Sequence, residues 1–500
     1  MSQNDDHNGA GEDGAPGETP GGLGRQFLVG TMQLGAGHLG VSALNVVVGI
    51  LLARWLGPEA FGLYAFVFGI SEVLAIVGAF SLGAALIQAR EETHELYDTA
   101  FAICTVLGLV ALLLAVALSP WLVEMRGTEA GWFLIALGVG RILRLASQVP
   151  RAKLERTIRY DRVTVLSVLE TSVPNLIALG LAINGVGPWA LVIREVLVAA
   201  LTLVLQTIFS GYRFRMRVRA AEARQLMNFA RPMFVARSVD ILLERADRVI
   251  VGAMIGNAPA GLLDRGRFLA DMGLYVVRPV ERASLNLLSR LQDDHARLSR
   301  AYGIVNFFLA RAMFLGAVVL VLSPAETLRL ILGEEWVGAA PALRFLGVHA
   351  GIYPLNQMIK VLAIARHEVG RSARISIVQA CVLLPSAFFA AWHESLVGVA
   401  AAIAFTTCVG AVFGVLWTRD LATIAYRRVL GVPVLLALGT AAVYGAAGAL
   451  GWLDSLYWAV RPFAVGAVFG VGLLLVEHRE LLRELRFLRA QLASGPAAAD

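Results

Sequence analysis

Charge is scarce in this sequence. Of its 500 residues only 16% are Asp, Glu, Lys or Arg, against about 25% in a soluble domain. With 57% hydrophobic residues and a mean hydropathy of +0.69, a soluble globular chain is excluded. Cysteine is scarcer still. Cys104, Cys381 and Cys408 each lie in an apolar run, which excludes a disulfide framework or a thiolate metal site. They read as small buried packing residues. No phosphate-binding loop of the GxxxxGK[ST] type occurs, which excludes ATP hydrolysis through one. The eight histidines are scattered, and no metal or cofactor is expected. No basic stretch precedes the first apolar run, so the start does not read as a cleaved signal. Large loops are missing too. The longest outer one, Ser323 to Ala342, holds no His or nucleophile pair, which speaks against a catalytic domain.

What is there is a series of long apolar runs. About fourteen reach the length needed to cross a bilayer. Such runs must be helical, because only a helix satisfies its own backbone groups in lipid. The expected fold is an all-α polytopic membrane protein. The first two spans run near Phe27–Leu52 and Gly62–Ile87, the seventh and eighth near Phe229–Ile255 and Ala260–Leu287, the tenth near Leu343–Ile364. Residues 1–24 are polar and Gly-rich and should be a disordered tail. The net charge of +6 would suggest nucleic acid in a soluble protein. Here it has a topological origin, and no nucleic-acid partner is expected. With both termini in the cytoplasm, Arg213, Arg290, Arg366, Arg371 and Arg428 all fall inside, as do most other loop arginines. Past the last span, Leu481, Leu485, Leu488 and Leu492 form a stripe. That stripe fits a helix lying on the anionic inner leaflet, or a solvated tail.

The exception to apolarity is the stretch from Arg231 to Arg282. It reads as two membrane-length helices joined at Gly256-Asn257-Ala258-Pro259. Arg237, Asp240, Glu244, Asp247 and Arg248 lie on one helical face, and Asp264, Arg267, Asp271, Arg278 and Arg282 on another. A charge at the bilayer centre costs roughly 2.5–3.5 kcal/mol. About ten of them facing lipid would cost on the order of 30 kcal/mol. These side chains must face each other, other helices or water. Two readings follow: a salt-bridge ladder that locks two helices, or a hydrated cavity for a polar substrate. Glu72, inside the second span with Tyr64 and Phe68 on its face, is a further intramembrane candidate. His38, Ser42 and Asn45 form a polar stripe in the first span, which reads as helix–helix glue.

The first loop reads Arg54-Trp55-Leu56-Gly57-Pro58-Glu59-Ala60-Phe61-Gly62-Leu63-Tyr64. This segment closely resembles the signature of the polysaccharide biosynthesis (Wzx-like) oligosaccharide flippases of the MOP exporter superfamily. Leu332-Gly333-Glu334-Glu335-Trp336-Val337-Gly338 and Leu288-Ser289-Arg290-Leu291-Gln292-Asp293 add to the resemblance. It covers roughly Gln26 to Trp417. Gly261-Leu262-Leu263-Asp264-Arg265-Gly266-Arg267 is more charged than the corresponding family run. The first loop also aligns weakly with Ile255–Leu262, which suggests an internal repeat.

The resemblance implies two six-helix lobes in a V-shaped, pseudo-symmetric arrangement, residues 25–224 and 225–420. Two appended helices at 421–476 and a cytoplasmic amphipathic tail at 477–500 complete the expected chain. It also implies a flippase in a bacterial inner membrane, moving polyprenyl-pyrophosphate-linked oligosaccharide to the outer leaflet. Polysaccharide polymerases or ligases and membrane lipids would be its partners. Arginine grips phosphate bidentately, so Arg237, Arg248, Arg267 and Arg278 are the candidate substrate contacts. Asp240, Glu244, Asp264, Asp271 and Glu72 are candidates for ion coupling. Two alternatives stay open: a multidrug-type cation-coupled antiporter of the same superfamily, and a membrane-embedded polymerase or ligase.

Overall fold

The computed structural model describes residues 20–493 except 79, 81, 90–92 and 157–159, and gives side-chain surroundings from residue 40 onward with a few gaps. Among the described residues every regular element is helical. The long helices are α1 (Pro20–Leu74), α2 (His94–Arg126), α3 (Thr128–Ala146), α4 (Tyr160–Ile183) and α5 (Trp189–Ser210). The central group is α6 (Ala220–Met254), α7 (Asn257–Ala270) and α8 (Leu274–Arg290). The last group is α9 (His295–Leu322), α10 (Ala340–Ala365), α11 (Val369–Trp392), α12 (Leu396–Thr418), α13 (Tyr426–Ala449) and α14 (Arg461–Ala493). Ten described segments are long and apolar enough to cross a membrane. The charged α6, the α7–α8 arm and the polar-studded α10 fall outside that set, and the first two expected spans merge in α1.

Several boundaries differ from the sequence-based expectation. Helix α1 already begins at Pro20, inside the stretch 1–24 expected to be a tail; proline is well suited to a first helical position. Residues 1–19 lie outside the described residues. The kink inside α1 is at Gly57, whose φ of +69° precedes Pro58. The second span was expected to reach Ile87. It stops at Leu74, and a separate short helix runs over Leu82–Gln88. The eighth was expected as one helix. It breaks at a 3-10 turn, Asp271–Gly273, where Gly273 lowers the cost of interruption. Of the three cysteines only Cys104 is buried, and Cys381 is exposed.

The tail differs most. Helix α14 runs unbroken from the last span through residue 493, so 477–493 continues that span as one helix. Two ion pairs explain this. Arg311 of α9 holds Glu477 through Nη2–Oε1 at 2.5 Å and Nε–Oε2 at 2.6 Å, both side chains buried. Arg428 of α13 holds Glu484 at 2.8 Å. Removing one member of a buried pair costs about 3–5 kcal/mol, since the other charge stays buried. Arg311→Ala should therefore lower the thermal midpoint of the detergent-purified protein more than Arg428→Ala, whose side chain is 43% exposed. Equal shifts would remove the clasp role of Arg311.

The helices cross tightly at one end. The turn at 57–62 and the turn at 256–261 lie against each other. A Cβ on Gly62 would overlap the Asn257 carbonyl, and a Cβ on Gly261 would overlap the Pro58 carbonyl. This is the pair of segments that align as a repeat, and each meets its counterpart reciprocally. Asn257 donates to Glu59 at 3.1 Å. Arg54 donates to the Leu330 and Ile331 carbonyls at 2.6 and 2.9 Å. Trp336 is buried, donates to the Ala53 carbonyl at 3.2 Å and meets Phe61 edge-on. Arg126 reaches the Gly252 carbonyl at 2.5 Å. That end of the molecule is sealed. Deeper in, Asn175 of α4 donates to Asn45 of α1 at 2.6 Å. Asn45 thus ties two helices, and the His38 side chain lies outside the described ones.

Candidate functional site

Helices α6 and α7 are the two arms of the charged stretch. They fold back at Gly256, whose φ of +143° favours glycine. The fold sets their stripes facing. Arg248 Nε meets Asp264 Oδ1 at 2.6 Å. Arg267 pairs with Asp247, which is fully buried. Arg265 also reaches Asp264, through Nη2 at 2.6 Å. Asp271, in the turn after α7, lies 3.6 Å from Arg267. Arg248 further donates to the Glu244 backbone carbonyl at 2.8 Å. In hydrocarbon these groups would be costly alone; paired and hydrogen-bonded they are tolerated.

Other candidates are placed differently. Arg237, Asp240 and Glu244 line a cavity of about 550 Å³ together with Arg267. Arg278 lines an adjoining cavity of about 310 Å³ with Arg248, Asp264 and Asp271. Among the described residues no carboxylate within 4 Å pairs with Arg237 or Arg278. Asp240 lies 3.5 Å from Ser376, which takes a hydrogen bond from Lys360 at 2.8 Å. Glu72 stands beside the second cavity rather than in it. It pairs with Arg141 of α3 and lies 3.8 Å from Arg245 of α6. Both guanidinium groups sit over the Phe68 ring, at 5.6 and 5.4 Å, a favourable cation–π arrangement.

The smaller cavity is arginine-rich. Arg194, Arg245, Arg248, Arg265, Arg267 and Arg278 line it, against Glu195, Glu244, Asp264 and Asp271. The larger one has mostly apolar walls, including Leu243, Val361, Ile364 and Ile403, studded with charges of both signs. It continues past Gly370 and Ser372 to the end of the molecule opposite the sealed turns. Glu244, Arg267 and Tyr353 border both spaces, so the two are neighbouring compartments of one site.

Sequence reasoning missed the α10 wall. His349, Tyr353, Gln357 and Lys360 all face the larger cavity. Their spacing of four, four and three is a helical stripe, and it was available as a signal. It was diluted by the apolar residues of that span. Arg141 and the Arg194–Glu195 pair were likewise passed over, each being a short polar interruption in a long apolar run.

A family model described as "Polysaccharide biosynthesis protein" matches residues 51–341. The chain belongs to this family. The match takes in both glycine turns, α6, α7 and the first residues of α10. Within reach of the family, the succinoglycan biosynthesis transport protein ExoT of Rhizobium meliloti is 26% identical over 319 residues, covering 63% of this chain and 64% of that protein. The chain thus spans less than two thirds of that relative's length. An uncharacterized membrane protein in the cps region of Klebsiella pneumoniae is 22% identical over 402 residues, 74% of this chain and 78% of that one.

Solved structures agree on the fold. The lipid II flippase MurJ in an inward closed conformation superposes with a TM-score of 0.71 at 10% identity, over 90% of this chain and 100% of that one. An inward-facing multidrug resistance MATE transporter of the MOP superfamily gives 0.58 at 15% identity, over 77% and 97%. At such identities the likeness is one of architecture. This family member therefore has the MurJ/MATE-type transporter fold and is a multi-pass membrane protein.

Proposed function

We propose that this chain is a flippase that carries a polyprenyl-pyrophosphate-linked oligosaccharide from the cytoplasmic to the outer leaflet of a bacterial inner membrane. The observation that carries this reading is the arginine-rich cavity between α1, α5, α6, α7 and α8. Six arginines against four carboxylates leave an excess of positive charge where a pyrophosphate could be held. Arg278 and Arg237, with no carboxylate within 4 Å among the described residues, would meet the anion first. Arg248 and Arg267 would exchange Asp264 and Asp247 or Asp271 for phosphate oxygens. The larger cavity offers Gln357, Gln379, Thr406, Tyr353 and Ser376, donors and acceptors suited to sugar hydroxyls. The sealed end would face outward and the open end the cytoplasm, with both termini inside. Partner polymerases or ligases would take the delivered product.

The multidrug reading fares worse, because an arginine-lined site repels a cationic drug. A polymerase or ligase reading draws no support from the transport protein named among the relatives. The test is replacement of arginine by lysine, which keeps the charge and loses the planar fork. A lost charge-assisted hydrogen bond is worth about 1.5–3 kcal/mol, or roughly tenfold and more in affinity. Arg248→Lys should insert normally yet restore surface polysaccharide to a flippase-deficient strain at least about tenfold less well. Arg217→Lys, on the exposed segment after α5, should restore it fully. Full restoration by Arg248→Lys would remove the phosphate-gripping role.

A further inference from the structure

His349 of α10 is 3% exposed, and its Nε2 has no hydrogen-bond partner. Its Nδ1 lies 2.6 Å from the Thr407 hydroxyl of α12. Nε2 lies 3.7 Å from Asp271 Oδ1. The Thr407 hydroxyl in turn reaches the Ile403 carbonyl at 2.9 Å. A neutral imidazole has one N–H. If the Thr407 hydrogen goes to Ile403, Nδ1 must donate to Thr407. The ring then turns a bare lone pair toward a carboxylate. If the ring proton sits on Nε2 instead, it serves Asp271, and Thr407 must leave Ile403 to satisfy Nδ1. Only the doubly protonated ring serves every acceptor at once.

We propose that His349 and Asp271 form a proton-binding site that sets the anion affinity of the neighbouring cavity. The connection runs through Asp271, which lies between His349 and Arg267. A proton on His349 gives Asp271 a second cation and loosens its hold on Arg267. Arg267 then has more of its charge to offer an incoming anion. By linkage, an anion that takes Arg267 promotes the proton on His349. The other titratable groups facing His349 are few. Tyr353 is its neighbour on α10, with ring centroids 4.9 Å apart. Across the larger cavity stand Arg237, Asp240 and Glu244 of α6, Glu281 of α8 and Lys360 of α10. From α12 Ile403, Thr406 and Thr407 face it, and none of them titrates. In its anion half the proposal rests on the flippase reading; in its proton half it does not.

Two measurements on the purified full-length protein separate the halves. Infrared difference spectra between about pH 8 and pH 5 bracket the ordinary histidine range. The wild type should show an imidazolium signal that is missing in His349→Asn, which cannot take up that proton. Thr407→Val should shift that signal along the pH axis, because the partner of Nδ1 is gone. The second measurement is binding of farnesyl pyrophosphate as a short-chain probe. Its affinity should rise about fivefold or more as pH falls, a typical coupling, and His349→Asn should flatten that rise. A pH difference spectrum identical in wild type and in a His349→Asn protein of unchanged thermal midpoint overturns the proton site. So does an unshifted signal in Thr407→Val. An imidazolium signal that His349→Asn removes, with no pyrophosphate binding by either protein, upholds the proton site and defeats the flippase reading.

Discussion

Gly62→Ala should abolish export, whereas Gly180→Ala should leave it intact. Both substitutions add one methyl group within a helix, and both gain about 1 kcal/mol in helix propensity. They differ in surroundings. A Cβ at position 180 meets nothing within 4 Å, but at position 62 it falls on the Asn257 carbonyl. Backbone cannot give way as a flexible side chain can, so the two turns must part. The sealed end would then stay open, and a transporter that closes its ends alternately would be held in one state. A single cysteine replacing Ser372, which lines the larger cavity near its open end, reports this. Its labelling by an impermeant thiol reagent in inside-out vesicles should fall several-fold in the Gly62→Ala background, in proportion to the population shift. Normal export by Gly62→Ala would show that the turns need not close.

Asp247→Ala should cost more stability than any other change at the site. Asp247 is fully buried; it pairs with Arg267 and accepts the Arg248 backbone N–H at 2.9 Å. Its loss leaves a buried guanidinium with a distant second partner, at about 3–5 kcal/mol. The purified variant should melt well below the wild type or fail to be recovered. Asp247→Leu combined with Arg267→Leu removes both charges and should regain most of that stability. It should not regain export, since Arg267 would be gone from both cavities. A double variant as unstable as the single one would mean that packing, and not charge, holds α6 to α7.

How much of this was readable in the chain differs from element to element. The two charged stripes were legible, because helical spacing alone gathers Asp240, Glu244 and Arg248 or Asp264, Arg267 and Asp271 on a face. Who pairs with whom was not. Register around the Gly256 turn decides that Arg248 meets Asp264 while Arg267 meets Asp247. Glu72 stood out as a lone carboxylate in an apolar span, yet its partner Arg141 comes from a helix two connections later. The break at Asp271 was hidden because hydropathy is blind to a single 3-10 turn. The continuity of the tail with the last span was hidden for a similar reason. A leucine stripe past the last span describes one helix face, and Glu477 on another face finds Arg311 only through the packing of α14 on α9. Long-range pairing of single charges is a property of topology, and topology enters a sequence only as a resemblance.

The reciprocal contact of the two glycine turns says something about ancestry. A surface patch that meets its own likeness across a two-fold is the hallmark of an isologous interface, the kind formed by two copies of one subunit. Here residue 62 faces 257 while residue 261 faces 58, so the patch and its likeness lie on one polypeptide. The molecule can be read as a fused homodimer, whose monomer was about half its present size. In such a molecule the two copies are free to differ. After its turn the first copy has an apolar run, Ala65 to Phe68, and the second has Asp264, Arg265 and Arg267 at the positions matching Ala65, Phe66 and Phe68. At the seam the copies are not free to differ, because either turn must accommodate the backbone of the other.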